Sequence, residues 1–482
     1  MAKAKTKFVC QNCGASFPKW QGQCAQCHEW NTLVEETEAP QNGGGRGLGQ
    51  TQWSEQDLEQ ILVKRSEVKA VSAAKQRFSS SIGELDRVLG GGIVPGEIIL
   101  IGGEPGIGKS TLLTQMLLGM LLRPHLKTSD NNKNKQKPKQ LSKIFYVSGE
   151  ESPAQINLRI NRILENEQFL VSLGFAKDSV ADLEFLDESL QFITSTDVDQ
   201  LRIMMAKHEP DLVIVDSIQT LSTQDLSGAS GSVGQVREVT ERLRLVSKSL
   251  HIPLFLVGHV TKDGTIAGPK TLEHMVDSVV ELSGERTGQF RLLRALKNRF
   301  GATDEVGVFQ FTDYGLAEVN NPSLLFLEQQ QNVPGSAVCC VMEGTRPLLV
   351  EVQALAARTQ LAIPRRVGQG IALSRIQVLA AVLQKHCRVS LADYDLFVNA
   401  AGGFKIKEPA VDLALAAAMV SSVKNKKISS KTVFIGEVGL LGEIRPVAYL
   451  DRRIKEAKRL GFKKIITSKK YKRLDQLVKN MF

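Results

Sequence analysis

The sequence has no apolar run of membrane length. Nowhere do about 18 uncharged apolar residues follow one another, so no membrane-spanning helix is expected in these 482 residues. The N-terminal MAKAKTKFVCQNC also lacks the apolar core of a secretory signal. These absences predict a soluble, cytoplasmic protein with no membrane partner. Cysteine is scarce: four of the seven fall within residues 10–27, and only Cys339, Cys340 and Cys387 lie beyond. In a reducing compartment such a cluster points to a metal rather than to disulfides. Acidic residues are outnumbered, 51 against 61 Lys and Arg, for a net charge of +10. That excess suits a polyanionic partner, and equally suits solvated lysine-rich faces. Domains hold roughly 100–200 residues, so a chain of this length should form two large domains with small appendages.

Composition divides the chain further. Residues 8–35 are cysteine-rich, and residues 36–70 carry GGGRGLG and read as a linker ending in a short helical segment. From 71 to 320, apolar runs of strand length alternate with helical stretches, the pattern of an α/β domain on a largely parallel sheet. The clearest runs, GEIILIGG, KIFYVSGE, PDLVIVDS and IPLFLVGHV, are apolar almost throughout, as strands buried on both faces must be. Asn321-Pro322 is a candidate boundary, and 322–482 reads as a second α/β domain. The polar, Lys-rich stretch 127–143 reads as an exposed insertion, either a solvated loop or an additional DNA-backbone contact.

Cys10-x2-Cys13 and Cys24-x2-Cys27 form two C-x2-C pairs. Two such turns close a thiolate tetrahedron around Zn2+. With four thiolates no position remains for a reactive water, so the expected metal is structural and stabilises a segment too small to fold alone. His28 is adjacent but redundant as a ligand.

Gly103-Glu104-Pro105-Gly106-Ile107-Gly108-Lys109-Ser110 matches the G-x4-G-K-[ST] phosphate loop, preceded by a strand and opening a helix, the context the motif requires. Backbone N–H groups and the helix N-terminus would cradle the phosphates of ATP. Lys109 would reach the β- and γ-phosphates, Ser110 would ligate Mg2+, and Thr111 would lie by the α-phosphate. Asp216 ends the apolar run LVIV and supplies the acidic Mg2+ partner. Glu150, with Glu151 beside it, ends KIFYVSGE, where a carboxylate can orient the attacking water. His259, at the end of IPLFLVGHV, stands where a sensor of nucleotide state would stand, or is simply a satisfied polar group.

That order of strands resembles the RecA-like core, and Lys297-Asn298-Arg299-Phe300-Gly301 matches the KNRFG word of the RadA (Sms) family of bacterial repair proteins. With the cysteine knuckle in front, the resemblance covers nearly the whole chain. It implies a DNA-stimulated ATPase, assembled as a homo-oligomeric ring of hexameric type, that acts on single-stranded and branched DNA. The implied task is branch migration of recombination intermediates formed by RecA. By the same resemblance Glu150 is the water-orienting carboxylate, and Lys297 and Arg299 reach across a subunit interface to a neighbour's ATP, or else contact DNA. Segments 223–235 and 261–270 would be channel loops, with Lys262 and Lys270 meeting DNA phosphates.

Residues 390–455 are similar to the Lon-type protease domain. The nucleophile word aligns with Glu408-Pro409-Ala410-Val411-Asp412, which places an alanine at the serine, and the lysine position falls near Asp451. The expected fold class is thus α/β: a RecA-like ATPase core between a four-cysteine zinc knuckle and a Lon-like domain without peptidase chemistry. Three rivals remain: a Lon-type protease, which Ala410 opposes; an ATP-driven DNA clamp or assembly factor; and a replicative helicase, which lacks the knuckle and the tail.

Overall fold

The computed structural model describes residues 6–10, 13–30, 32–37, 77–123, 141–175, 184–258, 272–284, 290–319, 321–323, 327, 333–361, 363–401 and 405–482. His259, Lys262, Lys270, residues 38–70 of the expected linker and residues 127–140 of the expected insertion lie outside them. Two compact units emerge, one of residues 1–283, 292–303 and 311–317, the other of 284–291, 304–310 and 318–482.

The first unit begins with a small antiparallel sheet of β1 (Thr6–Cys10), β2 (Ser16–Phe17) and β3 (Leu33–Thr37), in the order β2-β1-β3. Its larger sheet holds β4 (Ile98–Gly102), β5 (Ile144–Ser148), β6 (Leu190–Ile193), β7 (Leu212–Asp216), β8 (Leu254–Val257) and β9 (Ser278–Ser283). These run parallel in the order β9-β4-β8-β7-β5-β6. The four apolar runs noted above become β4, β5, β7 and β8, and every residue of β4 and β7 is buried. β10 (Phe290–Asn298) turns back antiparallel to β9, so Asn298 pairs with Ser278 at the N-terminal edge of the parallel strands. β11 (Val306–Thr312) and β12 (Gly315–Glu318) follow.

The helices here are α1 (Gly83–Val88), α2 (Lys109–Leu122), α3 (Pro153–Leu164), α4 (Glu167–Leu173), α5 (Glu184–Ser189), α6 (Val198–His208) and α7 (Val233–Leu250). From Leu112 to Leu122, α2 is buried on every side, as a helix apolar all round should be. α3 starts at a full capping box: the Ser152 hydroxyl accepts from Gln155 N–H, and the Gln155 side chain accepts from Ser152 N–H. α7 turns Val236, Val239 and Leu243 into a core shared with Ile98, Leu100, Val213, Val215 and Leu254.

The last residues of the expected insertion belong to the fold. Leu141 is buried, and Ser142 N–H donates to Asp211 Oδ2 at 2.8 Å. An apolar anchor followed by a backbone clasp makes 141–143 the lead-in to β5, a correction to the reading of 127–143 as wholly exposed.

The second unit is built on β13 (Ser336–Glu343), β14 (Arg346–Arg358), β15 (Arg366–Gln369), β16 (Tyr394–Ala400) and β17 (Thr432–Ile435), followed by the two-residue strands β18 (Glu437–Val438) and β19 (Ile444–Arg445), and β20 (Lys464–Thr467). The sheet order is β15-β16-β14-β13-β17-β20. Its helices are α8 (Leu373–Cys387), α9 (Asp412–Val423), α10 (Leu450–Arg459) and α11 (Leu474–Met481). Leu413–Val420 of α9 are buried, which the Ala-rich LALAAAMV permits by letting the helix approach the sheet closely. A charged residue also lies in this interior. Arg453 is fully buried on α10, and its guanidinium donates to Cys340 O at 2.6 Å, to Ala448 O at 2.9 Å and to both carboxylate oxygens of Glu408.

Breaking a buried pair from one side strands the other charge, at a cost of about 3–5 kcal/mol. Glu408→Ala should lower the stability of this domain by about that amount in urea unfolding, and Glu408→Leu with Arg453→Met should cost less than Glu408→Ala alone. Equal losses would show that the pair does not act as a unit.

Candidate nucleotide site and metal centre

The C-terminal edge of a parallel sheet gathers the ends of β4, β5, β7 and β8, and in open α/β sheets that edge is where ligands bind. Gly103 leaves β4 so close to the β9 strand that a Cβ there would lie 2.5 Å from Leu282 O. Glu104, Pro105 and Gly106 are exposed, Ile107 is buried beneath them, and Gly108 caps α2 with a left-handed φ of 111°. Lys109 is 4 % exposed, and its amine donates to Gly103 O at 2.9 Å and Glu104 O at 3.0 Å. Burial pushes that amine below the ordinary lysine range, while the charges of Asp216 and Glu150 oppose the shift. Ser110 and Thr111 occupy the first turn of α2, half-buried.

Two carboxylates face this loop. Asp216 ends β7 in register with Ser148 of β5, is buried, and accepts from Tyr146 O–H at 2.8 Å. Glu150, exposed just past β5, accepts from Ser217 O–H at 2.5 Å. The structure separates it from its neighbour: Glu151 is turned into an ion pair with Arg159 of α3. One glycine-rich loop, one buried lysine, one hydroxyl and two carboxylates fit a nucleoside triphosphate and its divalent cation. The oxygen donors Ser110 and Asp216 are of the hard type that Mg2+ prefers.

Lys297 and Arg299 are not brought to this site. They lie at the N-terminal edge, next to the Asn298–Ser278 pairing. Five strand residues, about 15 Å, separate them from the phosphate loop of their own chain. Lys297 donates to Glu273 O at 2.5 Å and Val276 O at 2.8 Å, and burial together with the nearby Arg299 charge lowers its pKa. Asn298 Oδ1 accepts from Phe300 N–H at 2.8 Å. Gly301 is required by contact, since a Cβ would stand 2.9 Å from Gly90 Cα.

At the other end of the chain, the sulfurs of Cys10, Cys13, Cys24 and Cys27 all lie within 4.8 Å of one another. The Cys10–Cys27 and Cys13–Cys24 pairs are 3.6 Å apart. A zinc–sulfur bond near 2.3 Å in a tetrahedron spaces sulfurs at about 3.8 Å, so this set fits Zn2+. His28 is exposed and outside the group.

Comparison with known proteins agrees with this geometry. Residues 8–35 match a family described as a rubredoxin metal binding domain, 63–265 an AAA domain, and 350–471 subunit ChlI of Mg-chelatase. A protein named DNA repair protein RadA from Synechocystis is 44 % identical over 97 % of this chain and 90 % of its own length. RadA of Bacillus subtilis is 43 % identical and that of Pseudomonas aeruginosa 44 %, each over 97 % of this chain and 93 % of the relative. The chain belongs to the RadA family of DNA repair proteins. It is an α/β protein with a RecA-like ATPase core, an N-terminal zinc ribbon and a Lon-like C-terminal domain. A solved structure described as the RadB recombinase aligns with a TM-score of 0.35 at 20 % identity, over 50 % of this chain and 100 % of that one, too low a likeness to bear on the fold.

In the Lon-like domain of this RadA-family chain, Ala410 is fully buried, and the Asp451 side chain is 94 % exposed and paired with Lys469 at 3.7 Å. A buried methyl and a solvated carboxylate form no nucleophile–base pair.

Several residues of the ATPase site were not legible as motif letters. Tyr146 and Ser217 orient the two carboxylates. Phe311, 46 % exposed, and Leu316 lie against Gly108, offering an apolar surface beside the phosphate loop. Only the alternation of apolar and polar residues in VGVFQFTDYGL hinted at them. The segment 223–235 is loop only as far as Ser232. Its last three residues are already helical in α7, and Gln235 Nε2 donates towards Thr223 O at 3.0 Å, Leu226 O at 2.8 Å and Gly228 O at 3.1 Å. Those bonds pin 223–228 as a turn.

The thiolate set predicts about one zinc per chain, retained at neutral pH. Metal analysis should find that stoichiometry, and Cys24→Ser should lose most of it and make the ribbon protease-sensitive. Full zinc retention in the variant would rule out this four-sulfur centre.

Proposed function

We infer that this RadA-family chain is a DNA-stimulated ATPase that works as a ring, of hexameric type, and drives branch migration of recombination intermediates to extend joints formed by RecA. The observation that carries the reading is the separation of the two cationic sets. Lys109 stands at one edge of the sheet, and Lys297 with Arg299 at the other. The second pair can meet a phosphate loop only on another copy of the chain. A ring or filament supplies that copy, and makes hydrolysis depend on how neighbours are aligned.

In this reading the phosphate loop and Lys109 bind ATP, with Thr111 near the α-phosphate and Ser110 and Asp216 holding Mg2+, which would screen the charge of the phosphates. Glu150, kept in place by Ser217, orients the attacking water. Lys297 and Arg299 of the adjacent subunit stabilise the charge that develops on the transferred phosphoryl group. Residues 223–232 and 261–270 face DNA, with Lys262 and Lys270 on its phosphates, and His259 reports nucleotide state. Single-stranded and branched DNA are the substrates, and the family name of the relatives supports the repair setting.

Steady-state ATP hydrolysis with and without single-stranded DNA tests the reading. Wild type should be stimulated, and Lys297→Ala should lose most of that stimulation, at least tenfold given the usual worth of a trans-acting cation. Equal turnover with and without DNA in wild type would instead leave a nucleotide-driven assembly factor.

A further inference from the structure

Asp277 is a buried carboxylate that the phosphate chemistry does not use. It lies at 3 % exposure just before β9, and its backbone carbonyl accepts from Arg299 N–H at 3.1 Å. Its side chain joins three elements. Oδ2 accepts from Ile98 N–H at 3.0 Å, at the start of the strand that leads to the phosphate loop, and from Lys248 Nζ at 2.5 Å. Oδ1 faces Arg299 Nη1 at 3.4 Å. Lys248 makes a second contact with the same motif, its amine standing 5.8 Å from the centre of the Phe300 ring.

Lys248 belongs to the last turn of α7. At the first turn of that helix, Gln235, only 1 % exposed, holds the 223–228 turn through three carbonyls and accepts from Thr223 N–H at 2.9 Å. Two turns further along, Arg242 bonds Thr223 Oγ1 at 2.9 Å, Asp225 at 2.7 Å and Asp199 at 2.6 Å. One helix therefore grips the 223–228 turn at its start and the KNRFG word at its end. From Gln235 to Lys248 it is a rod of about 20 Å, with its apolar face seated in the sheet core.

We propose that Asp277 is the positioning residue of Arg299, and that Lys248 links it through α7 to the 223–228 turn, so that a shift of that turn re-aims the cation offered to the neighbouring subunit. The proposal rests on the reading of Arg299 as a trans-acting group and of 223–232 as a DNA-facing segment. Its physical content is competition at one carboxylate. Lys248 takes Oδ2 at close range, and the guanidinium is held by the remaining oxygen at a longer one. Anything that draws Lys248 away frees Asp277 to pull Arg299 inward, and anything that presses Lys248 home leaves Arg299 available.

The test is a mutant cycle on DNA-stimulated ATP turnover, with DNA affinity and melting temperature measured alongside. Lys248 is 39 % exposed in its side chain, so its replacement should not unfold the protein. Lys248→Met should lower DNA-stimulated turnover about fivefold at unchanged DNA affinity, with a fall in melting temperature that leaves the protein folded at the assay temperature, and Lys248→Arg should restore turnover to within about twofold. Arg299→Lys keeps a charge but gives up the guanidinium facing Asp277, and in that background Lys248→Met should cost less than about 1.5-fold. If Arg299→Ala abolishes stimulation while Lys248→Met keeps it, or loses the same factor in both backgrounds, the link through α7 is wrong and the motor reading stands. If Arg299→Ala is stimulated like wild type, the trans-acting role fails and this proposal falls with it.

Discussion

Six parallel strands have one direction, and that direction sorts the chemistry of the ATPase core. Strand C-termini carry the phosphate loop, Asp216 and Glu150 to one edge. β10 runs against them, so the word that ends it, KNRFG, emerges at the opposite edge. No side chain of ordinary length crosses the sheet between the two. On the proposed reading, this arrangement divides the cations of phosphoryl transfer between two chains and so ties catalysis to assembly.

That N-terminal edge also holds buried charge. Glu97, fully buried, accepts from Ser278 O–H at 2.6 Å and Val94 N–H at 3.0 Å, and burial holds its pKa above the usual carboxylate range. Asp277 lies nearby and adds to that shift. Two carboxylates inside a core are tolerated only if their hydrogen bonds are met. Here those bonds go to the backbone at Val94 and Ile98, to Ser278, to Lys248 on α7 and to Arg299 just past β10. The cost of burial is offset by tying four separate segments to one spot. Apolar side chains could fill the same space, but they would not fix the direction of a guanidinium.

Much of this was legible in the sequence, because the informative residues obey local rules. A strand buried on both faces must read as an apolar run, a phosphate loop must have glycines where a Cβ would collide, and a thiolate tetrahedron needs its C-x2-C pairs. What escaped were contacts made across the fold. Nothing in the basic stretch LDRRIKEAKR sets Arg453 apart from its neighbours, yet it is fully buried against Glu408, 45 residues earlier. Gln235 reads as the end of a glycine-rich loop, yet it is the clasp that makes the loop a turn. Leu141 was placed in a polar insertion because its neighbours are polar, though a single apolar residue ahead of a strand is enough to anchor it. Composition averages over such residues, and only the partner reveals them.

Lys109 and Lys297 share a chemical feature that Arg299 lacks. Lys109 donates to two carbonyls of its own loop, and Lys297 donates to the carbonyls of Glu273 and Val276. To an ammonium, a neutral carbonyl is a weaker acceptor than an anionic oxygen, because only the latter adds charge–charge attraction. A phosphate oxygen is therefore the better acceptor, and each amine is partly desolvated in advance, which lowers the pKa of both. Arg299 instead faces a carboxylate, which a phosphate does not displace on charge alone. Of the two cations in KNRFG, the lysine is held ready by weak acceptors, whereas the arginine answers to whatever else binds Asp277.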